Sequence, residues 1–556
     1  MQEFPKKKIA QDVVLSCEKY GIQTAVISPG SRNAALTIGF SNHPKIETLS
    51  VVDERCASFF ALGISQQNKR PVAIVCTSGS ALLNYYPAVA EAYYNNIPLV
   101  VISADRPKHL IDIADGQTIR QENVLEKHIL FSANLIEKEP TTNKVLLEKA
   151  LQTALDKKGP VHINVPMDEP LYETISDFNY VESSDEIYQK SLEDELYLEV
   201  SYLDKFAQKW NKAKKKIVLI GQNEPSELLS IQMEKMIKDP SVLVFTETTS
   251  NIPNSKFINS IDKLIAPLKE AELEDLAPEI LLSFGGMVVS KKVKQFLRKH
   301  KPLEHWHISR KNAPNTFHCL TNHFEISPTN FFSQFFFLTE DAKSDYQEKW
   351  LSIKDKRKEN HEIYMNSIPF SDMKVFEAIL ETIPDNLNVQ LSNSSVIRYT
   401  QLFDVNKTLH FYCNRGTSGI EGSTSTAVGA AYASEKQTIF ITGDVSFFYD
   451  SNGLWNANIP RNFRIILINN AGGGIFKFIP GPSQTNAEDY FVTPHNLTAE
   501  QLAKMYDFSY HTAKSLKELN TELQEFYKES EQPKILEIFT PSDENDKVLK
   551  SYFKNL

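Results

Sequence analysis

The chain has 556 residues, 41% of them hydrophobic and 23% charged, with a formal net charge of −10. That composition suits a folded globular chain and, at roughly 150 residues per domain, leaves room for three or four domains. The acidic balance disfavours nucleic acid or an anionic membrane as partner, so any anionic substrate must be met by cations gathered locally in a cleft.

The opening MQEFPKKKIAQDVV lacks the apolar centre of a signal peptide, and no apolar run approaches the roughly 18 residues of a membrane span. No membrane insertion is expected, and the cytoplasm is the expected compartment. Cys17, Cys56, Cys76, Cys319 and Cys413 are scattered without a C-x-x-C pair, which reads as reduced thiols.

Short apolar runs followed by a glycine or polar turn recur in three blocks. The first holds TAVIS (24–28) before PGSR, PVAIVC (71–76) before TSGS, and PLVVISA (98–104) before DRP. Between them Ala57, Phe60, Ala61 and Ile64 mark an amphipathic helix by i, i+3, i+4, i+7 spacing. The second block holds KIVLIG (216–221), SVLVFTE (241–247) and EILLSFGG (279–286). The third holds NVQLSNS (388–394), TIFITGD (438–444), RIILINN (464–470) and KILEIF (534–539). Apolar runs without alternation predict strands buried on both faces, and alternation with helices predicts parallel, doubly wound α/β sheets. Polar stretches near 172–200 and 340–372 read as linkers. Three α/β domains are expected over 1–185, 186–355 and 356–556.

In such sheets ligands bind beyond the carboxyl ends of the strands. There the third block places Gly443-Asp444 after one strand, and Asn469-Asn470 before Ala471 and three glycines after the next. Either pair alone is an ordinary turn. Together they offer hard oxygen ligands for a divalent cation bound to a diphosphate: the Asp444 carboxylate, the Asn470 amide oxygen and the Gly472 carbonyl. A helix beginning just after Asp444 would add N–H groups for the diphosphate.

The stretch GDVSFFYDSNGLWN…LINNAGGG resembles the signature of thiamine-diphosphate enzymes. That resemblance implies a glutamate beside the aminopyrimidine of the cofactor, and ETLSVVDERCASFFALG offers Glu54 between a strand and a helix. Taken alone, Asp53 and Glu54 would simply complement the positive end of that helix. The resemblance also implies that Glu54 and the metal site serving one cofactor lie on different subunits, hence a homodimer or a dimer of dimers.

SPGSRNAALTIGF, TSGSALLNYYPAVAEAY, SADRP, GQTIRQENV, NSSVIR, NRGTSGIEG and NNAGGGIFKFIPG narrow the likeness. They resemble the 2-succinyl-5-enolpyruvyl-6-hydroxy-3-cyclohexene-1-carboxylate synthases of menaquinone biosynthesis. The likeness touches both terminal domains closely, and the central one only through VVSKK (288–292). It implies thiamine diphosphate with Mg²⁺ or Mn²⁺ as cofactors, and decarboxylation of 2-oxoglutarate followed by succinyl transfer to isochorismate. It further implies catalytic roles for Glu54 and Gln117. Cofactor contacts fall to Ile420, Gly443, Asp444, Val445, Ser446, Asn470, Gly472, Gly473 and Ile475. Ser394 and Arg398 are assigned to the succinyl carboxylate, and Ser31, Arg32, Arg106 and Lys291 to isochorismate. Arg415 serves either substrate, Gln117 positions the adduct, and Ile475 and Phe476 form an apolar wall. Glu421 stands where the family is expected to have Asp. Both substrates are dicarboxylates, which suits guanidinium forks gathered on an acidic protein. The alternative is another thiamine enzyme such as an acetolactate synthase, which has less use for these arginines.

Overall fold

Every apolar run named above contains a strand in the computed structural model, which describes residues 3–176, 197–478, 481 and 484–556. Three parallel sheets with flanking helices result, as expected for this α/β class. In spatial order the first sheet is Glu47–Ser50, Thr24–Ile27, Val72–Cys76, Leu99–Asp105, Val161–Pro166 and Ser132–Asn134. The third is His410–Cys413, Asn388–Leu391, Thr438–Gly443, Phe463–Asn469, Lys534–Phe539 and Ser509–Ala513. Numbered along the chain within each sheet, both run 2-1-3-4-6-5. The five-stranded central sheet runs 2-1-3-4-5. In each the order reverses between strands 1 and 3, and the crevice beyond that reversal is where doubly wound sheets bind ligands. The segments opening onto these crevices are 28–32 and 77–79 in the first sheet, and 392–394 and 443–446 in the third.

The first and third domains share one apolar core, with Phe59, Phe60, Val428, Phe440 and Phe463 in the same buried cluster. Helices Glu54–Asn68 and Ser423–Tyr432 cross there in backbone contact. A Cβ on Gly63 would run into the Thr426 carbonyl oxygen, and one on Gly429 into that of Phe60. Backbone cannot yield as a flexible side chain would. Gly429→Ala is therefore expected to cost about 1–3 kcal/mol as an overpacked interior site, read as a lower thermal or urea midpoint. An unchanged midpoint would mean that the two helices part freely.

The stretch near 340–372 is not a linker. It contains the helix Tyr346–Ser367, whose first turns bury Tyr346 and Trp350 in the central core. Its last turns bury Tyr364 and Met365 in the third core. Lys, Glu and Asp between these anchors gave the segment a linker's composition, yet Lys and Glu are good helix formers on an exposed face. The other expected linker, near 172–200, lies mostly outside the described residues. No helix among the described residues is long and apolar enough to cross a membrane.

Candidate active site

Asp444 opens the six-residue helix Asp444–Tyr449 and is 3% exposed. Its Oδ1 accepts the Val445 N–H at 2.7 Å and its Oδ2 the Gly472 N–H at 2.9 Å. Val445 N–H is thus already taken by Asp444 itself. Burial pushes the Asp444 carboxyl up to about 7, partly offset by these N–H groups. Asn470 lies beside it and donates from Nδ2 to Asp372 at 2.9 Å, while its Oδ1 is buried without a partner. A buried orphan acceptor next to a desolvated carboxylate is a site short of positive charge. Gly472 completes the turn at φ 148°, where a Cβ would press on the Val492 carbonyl, so only glycine fits. No three His, Cys, Asp or Glu side chains converge for a metal among the described residues. A cation here would rely on one carboxylate plus amide and backbone oxygens, a donor set that fits Mg²⁺ or Mn²⁺ alongside phosphate oxygens.

Beyond this cluster, Ser446 donates to the Ile420 carbonyl at 2.9 Å, tying the 419–422 turn to the Asp444 helix. Ile475 is buried, and the Phe476 ring lies 5.5 Å from that of Phe491. They form an apolar wall beside Gly473, whose Cβ position abuts the Phe476 ring. Gly443 has open space in front of it.

Ser394 holds φ 70°, a rare conformation for a non-glycine residue, and immediately precedes the helix Ser395–Thr400 that carries Arg398, without a capping bond from its side chain. Arg415 comes from the neighbouring strand end and is 7% exposed. Its Nη1 donates to Asn393 Oδ1 at 2.7 Å. Arg398 and Arg415 are close enough that Arg415, after burial, is the next cause lowering the Arg398 pKa. The Nε atoms of both are buried without partners, and neither guanidinium has an ion pair with a described carboxylate. Two adjacent desolvated cations without a direct ion pair would attract a carboxylate strongly.

The central domain closes over this pair. Met287 Sδ lies 3.5 Å from Ser418 Oγ. Glu247 is fully buried and accepts the Val289 and Ser290 N–H groups at 2.6 and 2.7 Å. Lys291, the expected substrate lysine, begins the helix Lys291–Lys299 and is exposed. Lys294, one turn on, is the half-buried lysine whose charge acts on Arg398 and Arg415.

In the first domain, Asp53 rather than Glu54 caps the helix Glu54–Asn68, accepting the Cys56 N–H at 3.2 Å. Glu54 instead accepts from Asn84 Nδ2 at 3.3 Å. Among the described residues Glu54 makes no hydrogen bond or ion pair with Asp444, Asn470 or Gly472 of the same chain. Arg32 is buried, paired with Glu169 at 2.9 Å and donating to the Met167 carbonyl. Arg106 lies 3.2 Å from Asp115, with its Nε buried and unpartnered. Ser31 and Gln117 are exposed. Gln121 is the buried glutamine of that motif, bonded to Gly79, Ala104 and Asn164.

Comparison with known proteins decides the family. Residues 7–129 match the thiamine pyrophosphate enzyme N-terminal TPP binding domain, and residues 394–538 the C-terminal TPP binding domain. The chain is 52% identical to a 2-succinyl-5-enolpyruvyl-6-hydroxy-3-cyclohexene-1-carboxylate synthase of Flavobacterium johnsoniae, with both chains covered in full. The chain belongs to this synthase family. It is 51% identical to the synthase of Flavobacterium psychrophilum over all of both chains. It is 39% identical to that of Porphyromonas gingivalis over 99% of this chain and 97% of the relative. Thiamine diphosphate is therefore the cofactor of its terminal domains, and the acetolactate synthase alternative falls away.

Four residues that shape this family's site here escaped the sequence reading. Asp372 orients Asn470, and Glu537 orients Asn469 through a bond of 2.7 Å. Asn393 holds the Asn414 and Gly419 carbonyls at 2.7 Å each. Glu91, from the first domain, accepts the Gly416 and Thr417 N–H groups and so positions the Arg415 loop. Asn393 and Glu91 lay inside quoted motifs, but Asp372 and Glu537 carry no local signal because they act across 98 and 68 residues.

Proposed function

We propose that the chain decarboxylates 2-oxoglutarate and transfers the succinyl unit to isochorismate, using thiamine diphosphate with Mg²⁺ or Mn²⁺, in a homodimer or dimer of dimers in the cytoplasm. The observation that carries the substrate assignment is the buried pair Arg398 and Arg415, which makes no direct ion pair with a carboxylate among the described residues, Asp262 and Glu247 acting on Arg398 only from farther off. A dicarboxylate substrate supplies one. In this reading the three domains are 1–185, which brings Glu54, 186–355, which closes over the arginines, and 356–556, which holds metal and diphosphate.

Bound thiamine diphosphate supplies the electron sink for loss of CO₂. Asp444, the Asn470 oxygen and the Gly472 carbonyl hold the cation. Val445, Ser446 and Gly473 line the diphosphate, Gly443 leaves room for it, and Ile420 supports the ring system. Glu54 holds a proton at the aminopyrimidine nitrogen. Ser394 and Arg398 anchor the distal carboxylate of 2-oxoglutarate, and Arg415 reaches either substrate. Ser31, Arg32, Arg106 and Gln117 face isochorismate. Lys294 joins or replaces Lys291 as the central-domain cation. Ile475 and Phe476 keep water from the reacting carbon.

Turnover with 2-oxoglutarate plus isochorismate, against pyruvate as control, tests the reading directly. Within it, Arg398→Ala is expected to raise the KM for 2-oxoglutarate about tenfold or more, the effect of one lost charge-assisted contact. Arg106→Ala is expected to raise chiefly the KM for isochorismate. Equal effects of both variants on both substrates would refute the partition.

A further inference from the structure

Lys263 sits on the central-domain helix Ile261–Ile265 and is 8% exposed. Its amine makes no hydrogen bond or ion pair with any described residue, and burial pushes it down to about 8. A buried ammonium without a partner is a large unfavourable term unless something else meets it.

The amine lines a recess with Ser260, Lys354, Arg357, Lys358 and Asp404. The Ser260 hydroxyl and the Arg357 Nε are buried and also lack partners. Asp404 is the carboxylate that lines it, 3.8 Å from the Lys358 amine, and Glu362 also acts on Lys263. Lys354 donates to the Ser255 carbonyl and Arg357 to the Leu556 main-chain oxygen. Four cations thus line the recess with a single carboxylate among them, and three donors are unsatisfied. The recess, about 20 Å³, takes a single oxygen-sized group. It adjoins a cavity of about 340 Å³ between the central and third domains, sharing Lys354, Lys358 and Asp404. That cavity adds Lys407, Asp355 and Glu247, so the positive excess is confined to the recess end. Its other walls include Ile252, Phe403 and Leu409, which suit a carbon skeleton.

We propose that this seam is a second anion site, which takes a small di- or tricarboxylate with one carboxylate oxygen in the recess against Lys263 and Ser260. None of the residues assigned to the two substrates above lines it, and ligand held there would pin the central domain to the third.

The probe is citrate, titrated calorimetrically into the full chain at fixed ionic strength, with inorganic phosphate in a parallel arm. Arg398→Ala serves as background, so that carboxylate binding at the substrate site is suppressed. Saturable citrate binding is expected, weakened about tenfold or more by Lys263→Met, as for loss of a charged hydrogen bond. Lys358→Gln should weaken it as well. In the absence of citrate, Lys263→Met should keep or raise the thermal midpoint, because it removes an unpaired buried charge. A lowered midpoint with unchanged citrate affinity would make Lys263 structural and overturn the proposal. Phosphate binding in preference to citrate would overturn the carboxylate assignment. No saturable binding of either anion would leave a water site only and refute the idea.

Discussion

Glu54→Gln is expected to slow exchange of the C2 proton of bound thiamine diphosphate by about 10²–10⁴-fold, the usual contribution of a positioned acid–base group. Glutamine keeps the size of the side chain and can still meet Asn84, which lies 3.3 Å from the Glu54 carboxylate. What it loses is the carboxyl group itself. Asp53, not Glu54, caps the helix, so the helix start should survive the change. Cofactor affinity should therefore stay near that of the parent while exchange, followed by NMR in deuterated buffer, collapses. Near-parent exchange in the variant would remove Glu54 from the mechanism. A large fall in affinity with normal exchange per bound cofactor would recast it as a binding residue.

The second large effect is expected at Asp444. Asp444→Ala removes the only carboxylate of the assigned cation site, and calorimetry at limiting Mg²⁺ should show thiamine diphosphate affinity falling by at least about 100-fold. The comparison that gives this meaning is Asp372→Asn. Asp372 accepts the Asn470 Nδ2–H and the Thr540 hydroxyl, at 2.9 and 2.6 Å, and so fixes which way the Asn470 amide points. An asparagine there can present its own amide and let Asn470 flip. Loss of such an outer partner typically weakens metal binding about 10–100-fold. The expected order is thus parent, then Asp372→Asn, then Asp444→Ala, with all three folded by circular dichroism. Parent-like affinity in Asp444→Ala would dismiss the cation site. Parent-like affinity in Asp372→Asn would show that Asn470 needs no such support.

The sequence by itself determined a good deal of this protein. Uninterrupted apolar runs such as TIFIT and RIILI can bury both faces only in a parallel sheet, so the α/β class followed from local pattern. The residues just after such runs carried Asp444, Asn470 and Arg398, because ligands gather at strand ends, while Arg415 was marked only by the motif NRGTSGIEG. The contiguous motifs also carry the family likeness.

Other features needed the tertiary structure. VHINVP did not stand out as an apolar run because His162 and Asn164 interrupt it. Yet Val161–Pro166 lies inside the first sheet, where Ser103 bonds both polar side chains at 2.8 Å. The acid- and lysine-rich stretch after 340 looked like a tether, and only packing at its two ends revealed a helix joined to two cores. Lys291 and Lys294 are equally basic in sequence; helix phase decided that Lys294 is the half-buried one, near enough to feel the charges of Glu247 and the arginine pair. Asp372, Glu537, Glu91 and Lys263 were ordinary charges in their local sequence. Their importance arises from desolvation, which makes a buried charge depend on partners distant in the chain. Local pattern specifies which groups reach a strand end, whereas the orientation of each group and its unmet hydrogen bonds are set by contacts that exist only once the sheets have packed.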